Sequence, residues 1–387
     1  MNQYSSIFGQ ILQFFPRTEF EQAVRKTASE FHAKGFTSWQ QFVAMMFCQL
    51  GQAHSLREIC QGLQSCLGKV RHLGIHEAPK RSTLSYANAH RPWKLFHDVF
   101  YQLLARCSGE FQGKTKFRFK HKLYSFDATL VELCATMFDW AKFRRAKGGV
   151  KLHLILDHEG YIPQFVHITQ GKRHEVNVLR ELWLAPGTIL VVDRGGVDYA
   201  LFSQWTEGGV FFVTRLKHNA AYRVSQRNAV PERGNILADE LIELTGFYAA
   251  KKCPHRLRRI AVWDDKKKKV IVLLTNQLSF GSTTVSRIYK DRWQIEIFFK
   301  MIKQNLRIKT FVGTSENALH IQIWTALIAM LLLKYFQLKS TLGWSLSNLV
   351  ALLRFHLFSY RELWAWLHDP FEKPASSPHV EQLALVT

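Results

Sequence analysis

The sequence predicts an α/β fold, with a helical first third, a middle of strands interleaved with helices, and a helical last third. Three observations predict it. Among the first hundred residues, Phe42, Val43, Met46, Phe47 and Leu50 recur at helical spacing. From residue 114 the pattern turns to alternation, in KTKFRFKHKLYSFDAT. Further on, TILVVDRG is an unbroken apolar run that reads as a strand buried on both faces.

Taken in order, Ser38 with Gln41 and Ser55 with Glu58 have the spacing of capping boxes that open helices. Gly51-Gln52-Ala53-His54 separates the two. A short helix is expected over Arg81 to His90, and another from Pro92 to about Cys107. KRSTLSYANAHR supplies residues that contact phosphates and base edges, among them Lys80, Arg81, Ser82, Ser85, Asn88 and Arg91. The same pattern also suits a small helical domain with a solvated polar face, and the sequence leaves the two readings open.

In the middle, strands are expected over Lys122 to Phe126, Val150 to Leu156 and Tyr161 to Thr169, the last two joined by the turn Asp157-His158-Glu159-Gly160. A helix follows near Glu175 to Leu184, then the strand Thr188 to Val192, a helix from about Val197, and the strand Val210 to Leu216. The order strand, strand, strand, helix, strand, helix, strand is the ribonuclease-H-like one. Residues 217–285 form a basic stretch with strand candidates Leu257 to Trp263 and Lys269 to Thr275. From Val285 to about Leu367 the pattern is helical again, and the tail from His368 reads as loose. The expected division is 1–113 (a helical DNA-binding domain), 114–216 (the first part of the core), 217–285 (a β-rich insertion), 286–367 (the second part of the core) and 368–387 (the tail).

Charge narrows the partner. Fifty-two Lys and Arg against 30 Asp and Glu leave +22, with a pI near 9.8. The excess is +5, +5, +7 and +5 over residues 1–113, 114–200, 201–285 and 286–387, so no single basic tail carries it. A field spread this way favours a polyanion, usually nucleic acid. It argues against a disordered acidic chaperone and against small-molecule chemistry alone. The six cysteines form no CxxC pair, so a structural zinc site is not expected, and scattered thiols fit a reducing cytoplasm. No signal peptide is read at the start. Ile321 to Leu333 falls short of a membrane span and reads as a buried helix, so no membrane partner is expected.

The chemistry centres on YKDRWQIEIFFKMIK. Tyr289, Arg292, Glu296, Lys300 and Lys303 are spaced 3, 4, 4 and 3. At about 100° per residue they share a helical arc of roughly 80°. Ile295, Phe298 and Ile302 form the opposite, apolar side. A solvated stripe with i,i+4 ion pairs would look the same. Two further carboxylates shift the balance: Asp127 after its strand, and Asp193 at the end of the apolar strand. Three carboxylates brought together repel one another unless divalent cations lie between them. An all-oxygen set suits magnesium or manganese, and two such ions can drive phosphodiester chemistry. Asp139, Asp157 and Asp198 are weaker ligand candidates, and His153 and His174 have no partner at metal spacing.

YSFDAT around Asp127, VVDRGGVDY around Asp193, and the Y-x2-R-x3-E-x6-K pattern of Tyr289, Arg292, Glu296 and Lys303 together resemble the DDE transposases of bacterial insertion-sequence family four. NALHIQIWTALIAMLLLKYF is similar to the helix that follows in that family, so the resemblance spans about residues 5–360. One departure is Gly196, where relatives often carry an aromatic residue.

The resemblance implies a ribonuclease-H-like core with a mostly β insertion, for which the 102 residues between Asp193 and Glu296 leave room. It implies cut-and-paste transposition at terminal inverted repeats, with double-stranded DNA as partner, a homodimer in the DNA complex, and a place in the bacterial cytoplasm at the nucleoid. Asp127, Asp193 and Glu296 would be the catalytic, metal-binding triad, holding two Mg2+ ions that Mn2+ can replace. Tyr289, Arg292, Lys300 and Lys303 would grip phosphates at the cut. Lys80, Arg81, Ser85 and Asn88 would touch DNA from the N-terminal helices. Trp263 is the insertion aromatic named for stacking on a flipped base, with a core role as its alternative. Two other readings are a domesticated protein that binds DNA without cutting, and a related nuclease that does not join strands.

Overall fold

The computed structural model describes residues 5–66, 70–111, 116–134, 142–144, 147–305 and 312–371. The expected loose tail and Asp139 lie largely or wholly outside them. Six helices come first: α1 (Ile7–Leu12), α2 (Arg17–Thr27), α3 (Ser38–Leu50), α4 (Leu56–Gln64), α5 (Arg81–His90) and α6 (Lys94–Ser108). The middle holds β1 (Leu123–Cys134), β2 (Lys142–Arg144), β3 (Lys147–Asp157), β4 (Ile162–Gln170), α7 (Glu175–Leu179), β5 (Ile189–Val192), α8 (Tyr199–Glu207) and β6 (Phe211–Arg215). Then come β7 (Tyr222–Arg227), β8 (Ile236–Leu244), α9 (Phe247–Lys252), β9 (Leu257–Asp264) and β10 (Lys269–Thr275). Among the described residues five helices follow: α10 (Ser282–Asp291), α11 (Trp293–Asn305), α12 (Glu316–Lys339), α13 (Leu346–His356) and α14 (Leu363–His368).

All ten strands form one sheet, in the order β2-β3-β1-β5-β6-β10-β9-β8-β7, with β4 also on β3. β1 pairs antiparallel with β3 and parallel with β5, and β5 runs parallel to β6. The four residues of β5 are buried, as a central parallel strand requires. The insertion is not a separate body. β10 pairs antiparallel with β6, so β7 to β10 extend the same sheet. The turn from β3 to β4 carries Gly160 at φ +75°, and a Cβ there would run into the Phe111 ring.

The N-terminal segment is helical as expected, but it has no core of its own. Ile7, Phe42, Phe96 and Leu103 belong to one apolar cluster with Leu152 and Leu154 of β3, Phe298 of α11, most of α12, and Leu367 of α14. Asn317 at the start of α12 donates to the carbonyls of Asn88 and Arg91 (2.8 and 2.6 Å), tying α12 to the end of α5. By length and composition α12 would suit a membrane span, yet 89% of its most apolar window is buried inside the protein.

Local signals held with small shifts. Ser55 caps α4 as expected. The α3 box is Thr37 with Gln40, one residue earlier than the Ser38 spacing indicates. The described part of the expected run, residues 116–122, is not a strand, and β1 starts at Leu123 and runs well past Asp127.

Candidate active site

Side chains alternate along a strand, so Leu123, Ser125, Asp127, Thr129 and Val131 share one face of β1. Ile189, Val191 and Asp193 share the corresponding face of β5. Phe126 lies opposite Val192 as the last registered pair, and the next residue on each strand is an aspartate. The helices α10 and α11 cover this face: Val285 and Ile288 pack with Leu123 and Val191, and Ile295 and Phe298 with Val131. Two adjacent strands and one covering helix thereby bring Asp127, Asp193 and Glu296 to the same region.

Arg292 joins two of them. Its Nη1 lies 3.4 Å from Asp127 Oδ2, and its Nη2 donates to Glu296 Oε1 at 2.6 Å. The guanidinium side chain is only 8% exposed. Tyr289 is also buried, its ring between the cations of Arg215 (5.3 Å) and Arg292 (5.8 Å). The Tyr289 hydroxyl and Arg292 Nε are buried without a hydrogen-bond partner.

The other predicted residues fall as follows. Asp193 accepts from the backbone N–H of Gly195, while Thr214 Oγ1 donates to its carbonyl at 3.1 Å. Lys303 Nζ donates to Thr129 Oγ1 (2.6 Å) and to the Leu130 carbonyl (2.9 Å), so it braces the strand. Lys300 is exposed on α11. The five signature residues do not share one helix: the chain bends at Arg292, which puts Tyr289 on α10 and Glu296 on α11. Lys80, Arg81 and Ser85 are exposed, and Arg81 and Ser85 line a cleft of about 660 Å³ with His54, Ser55 and Arg57. Asn88 is not on that surface. It is 1% exposed, and its amide bonds Gln41 and Met45, because α5 turns this position toward α3.

The secondary candidates have structural partners. Asp198 caps α8 through the N–H groups of Ala200 and Leu201. Asp157 accepts from the Glu159 N–H at 2.8 Å. His153 is wholly buried and bonds Thr169, and burial pushes its pKa down to about 3. His174 precedes α7. Trp263 lines a groove of about 1610 Å³ that runs from Tyr289 and Arg292 to the β9–β10 hairpin, with Phe117, Phe119, Lys266 and Lys267.

A fourth carboxylate escaped sequence reasoning. Glu175 at the start of α7 sits close to Gly195 and Asp193. It stands eighteen residues before Asp193 with no apolar pattern around it, and only the packing of α7 on the turn after β5 reveals it. Burial pushes the Asp127 carboxyl up to about 7; the Ala128 N–H and Arg292 pull against this, and Glu175 and Asp193 add to it. Burial likewise raises Glu175, with Lys151 opposing and Asp193 adding.

The donor set fits a hard divalent cation: carboxylate oxygens alone, mutually repelling and short of counter-charge. Arg292 holds Glu296 closely and Asp127 more loosely, while Asp193 accepts only from the turn that follows it. In keeping with that, among the described residues no three His, Cys, Asp or Glu side chains close round a single point.

The raised Asp127 pKa has a measurable consequence. The folded state holds this proton more tightly than the unfolded chain, whose carboxyl has its ordinary value of 3.8, so the group costs stability as pH climbs from about 4 to about 7. Without divalent ions, Asp127→Asn should be more stable than the parent at pH 8, by at most about 4 kcal/mol, and the gain should vanish near pH 4. Denaturant unfolding at the two pH values measures it. A gain independent of pH would show that Asp127 ionises in the fold without cost.

Residues 118–332 match the transposase DDE domain family, and residues 3–76 match a domain of unknown function, DUF4372. The chain is 29% identical over 318 residues to a Sinorhizobium fredii protein named as transposase y4zB, covering 80% of this chain and 87% of that one. It is 28% identical over 277 residues to a Geobacillus stearothermophilus protein named as a transposase for insertion sequence element IS5377, covering 71% and 72%. A Synechocystis protein named as a transposase for element IS4SA shares 23% over 298 residues, covering 74% and 81%.

Proposed function

The chain belongs to the transposase DDE family and is a transposase of the insertion-sequence kind; from that premise we propose that it cuts DNA at the terminal inverted repeats of its element and joins the freed ends to target DNA, using Asp127, Asp193 and Glu296. The observation that supports this reading is the buried Arg292 guanidinium shared by Asp127 and Glu296, beside the parallel strand pair that Asp127 and Asp193 extend. The strand order β4-β3-β1-β5-β6, with its antiparallel and parallel pairings, supports a ribonuclease-H-like core.

Asp127 and Asp193 would hold magnesium or manganese, two ions per site, with Glu296 completing the set. A bound divalent cation supplies a Lewis acid for the phosphodiester and lowers the pKa of an attacking hydroxyl. The protein's own groups do the rest. Arg292 and Tyr289, at the wall of the groove, would hold phosphate oxygens beside the cut. Lys300 adds a point charge from the exposed side of α11, and Lys303 keeps α11 on β1 while facing the same backbone.

The groove beside Arg292 is lined with aromatic and basic side chains, a composition suited to a DNA end, and Trp263 is the aromatic assigned to stack there. The cleft between the starts of α4 and α5, with Arg57 and Arg81, would take backbone phosphate farther along the repeat. Two ends must be cut together, so the working unit is a homodimer on double-stranded DNA.

Purified protein, DNA bearing the element's ends, and magnesium test the reading. Nicking at the ends followed by joining to a second duplex is expected. Binding without nicking would point to a domesticated DNA-binding protein, and nicking without joining to a nuclease.

A further inference from the structure

Three alternate residues of β1 are each tied to a different point of the covering helices. Thr129 meets Lys303 of α11, and Asp127 meets Arg292. The third tie runs through an intermediary. Ser125 Oγ lies 2.7 Å from His158 Nε2, and His158 Nδ1 lies 2.7 Å from Asp291 Oδ2. Asp291 is the last residue of α10 and directly precedes Arg292, where the chain bends into α11.

A Ser, His, Asp chain is the arrangement of a nucleophilic triad. Burial excludes that use here, since Ser125 is 0% and His158 1% exposed. A ring that donates from Nδ1 to Asp291 and accepts the Ser125 O–H at Nε2 satisfies all three groups with one tautomer. The ring cannot drift, because the backbone N–H of His158 donates to the Leu123 carbonyl at 3.1 Å. Asp291 also accepts from the Tyr161 hydroxyl (2.9 Å) and from Lys116 (3.1 Å), so three segments converge on the bend: β1, the β3–β4 turn and the stretch with Lys116.

We propose that Ser125, His158 and Asp291 form a positioning relay that seats the α10–α11 bend on β1 and thereby fixes the rotation of α11 about its axis. The proposal rests on Arg292 and Glu296 acting at the site as read above. Asp291 is joined directly to Arg292, whose guanidinium holds Glu296, so the seat of Asp291 sets where α11 starts and which way Glu296 faces. A catalytic group displaced by about 1 Å can cost about a hundredfold in rate. Ser125 and His158 are buried out of reach of substrate, so they act only through Arg292 and Glu296.

The test compares His158→Phe, which fills the space but breaks both bonds, with His158→Gln, which keeps a donor and an acceptor. Ser125→Ala serves as a milder variant should His158→Phe fail to fold. Cleavage by His158→Phe should fall about tenfold to a hundredfold in kcat, with the Kd for end DNA unchanged. His158→Gln should recover most of the rate, and Ser125→Ala should lose only a few-fold. Amide hydrogen exchange across residues 291–303 should quicken in His158→Phe and Ser125→Ala but not in His158→Gln. That second readout needs no cleavage, so it stands even if the wild-type chain proves not to cut. Equal losses in Phe and Gln variants, a loss confined to DNA affinity, or unchanged exchange at α11 would each overturn the relay.

Discussion

Glu296→Gln, Asp127→Asn and Asp193→Asn are each expected to abolish DNA cleavage while binding of the element's ends survives. The amide keeps the size of each side chain but cannot supply a charged oxygen to a divalent cation. Losing several kcal/mol of transition-state stabilisation at about 1.4 kcal/mol per tenfold means a fall of roughly a thousandfold or more. Asparagine is the better choice at Asp193, because it can still accept the Gly195 N–H and so spares the turn after β5. The binding half of the prediction follows from placement. The basic clefts lie along α4, α5 and the β9–β10 hairpin, and none of them uses these three carboxylates as its source of positive charge. Gel shift and nicking on the same end DNA, at one salt concentration, measure both halves. Normal cutting by Glu296→Gln would remove it from the triad.

The second large effect is at Arg292. Its guanidinium is buried and shared by Asp127 and Glu296, so Arg292→Ala strands two carboxylates without their cation. Breaking a buried pair costs about 3–5 kcal/mol, and the one-third exposure of Glu296 puts this case at the low end, near 3 kcal/mol. Cleavage falls as well, since the same group is read as a phosphate donor. Lys does not rescue it, because an ammonium cannot span two carboxylates as a planar fork does. Divalent ions compete with Arg292 for the same oxygens. Added magnesium should therefore raise the melting temperature of Arg292→Ala more than that of the parent. Equal shifts in both proteins would mean that Arg292 and the cation do not share those oxygens.

How much of this was legible depended on range. Helix caps, the turn at Gly160 and the apolar β5 are local, and the sequence showed them directly. The alternation around Asp127 and the apolar run before Asp193 were enough to put both on strands, though not to show that Phe126 and Val192 align them. The spacing of Tyr289, Arg292, Glu296 and Lys303 was visible, but the bend at Arg292 was not, because no Pro or Gly marks it. Polar, half-exposed strands such as Tyr222–Arg227 gave little apolar rhythm, so β7 and β8 were missed. Asn88 looked like a surface residue because a polar side chain on a polar helix gives no hint that Gln41 waits beneath it. Glu175 and His158 depend wholly on long-range packing, which no local pattern reports.

The shared core has a consequence for how the chain is made. α3, α5 and α6 rest on α12, whose sequence follows theirs by more than two hundred residues. During synthesis these helices leave the ribosome long before their packing partner exists. They must wait with apolar faces uncovered, and α12 itself emerges as a 24-residue stretch apolar enough to stray. Contacts this distant in sequence also make for slow folding. A chain interrupted before Glu316 would thus carry the N-terminal helices without the surface that shapes them, and competence to fold this layer arrives only once α12 has been translated.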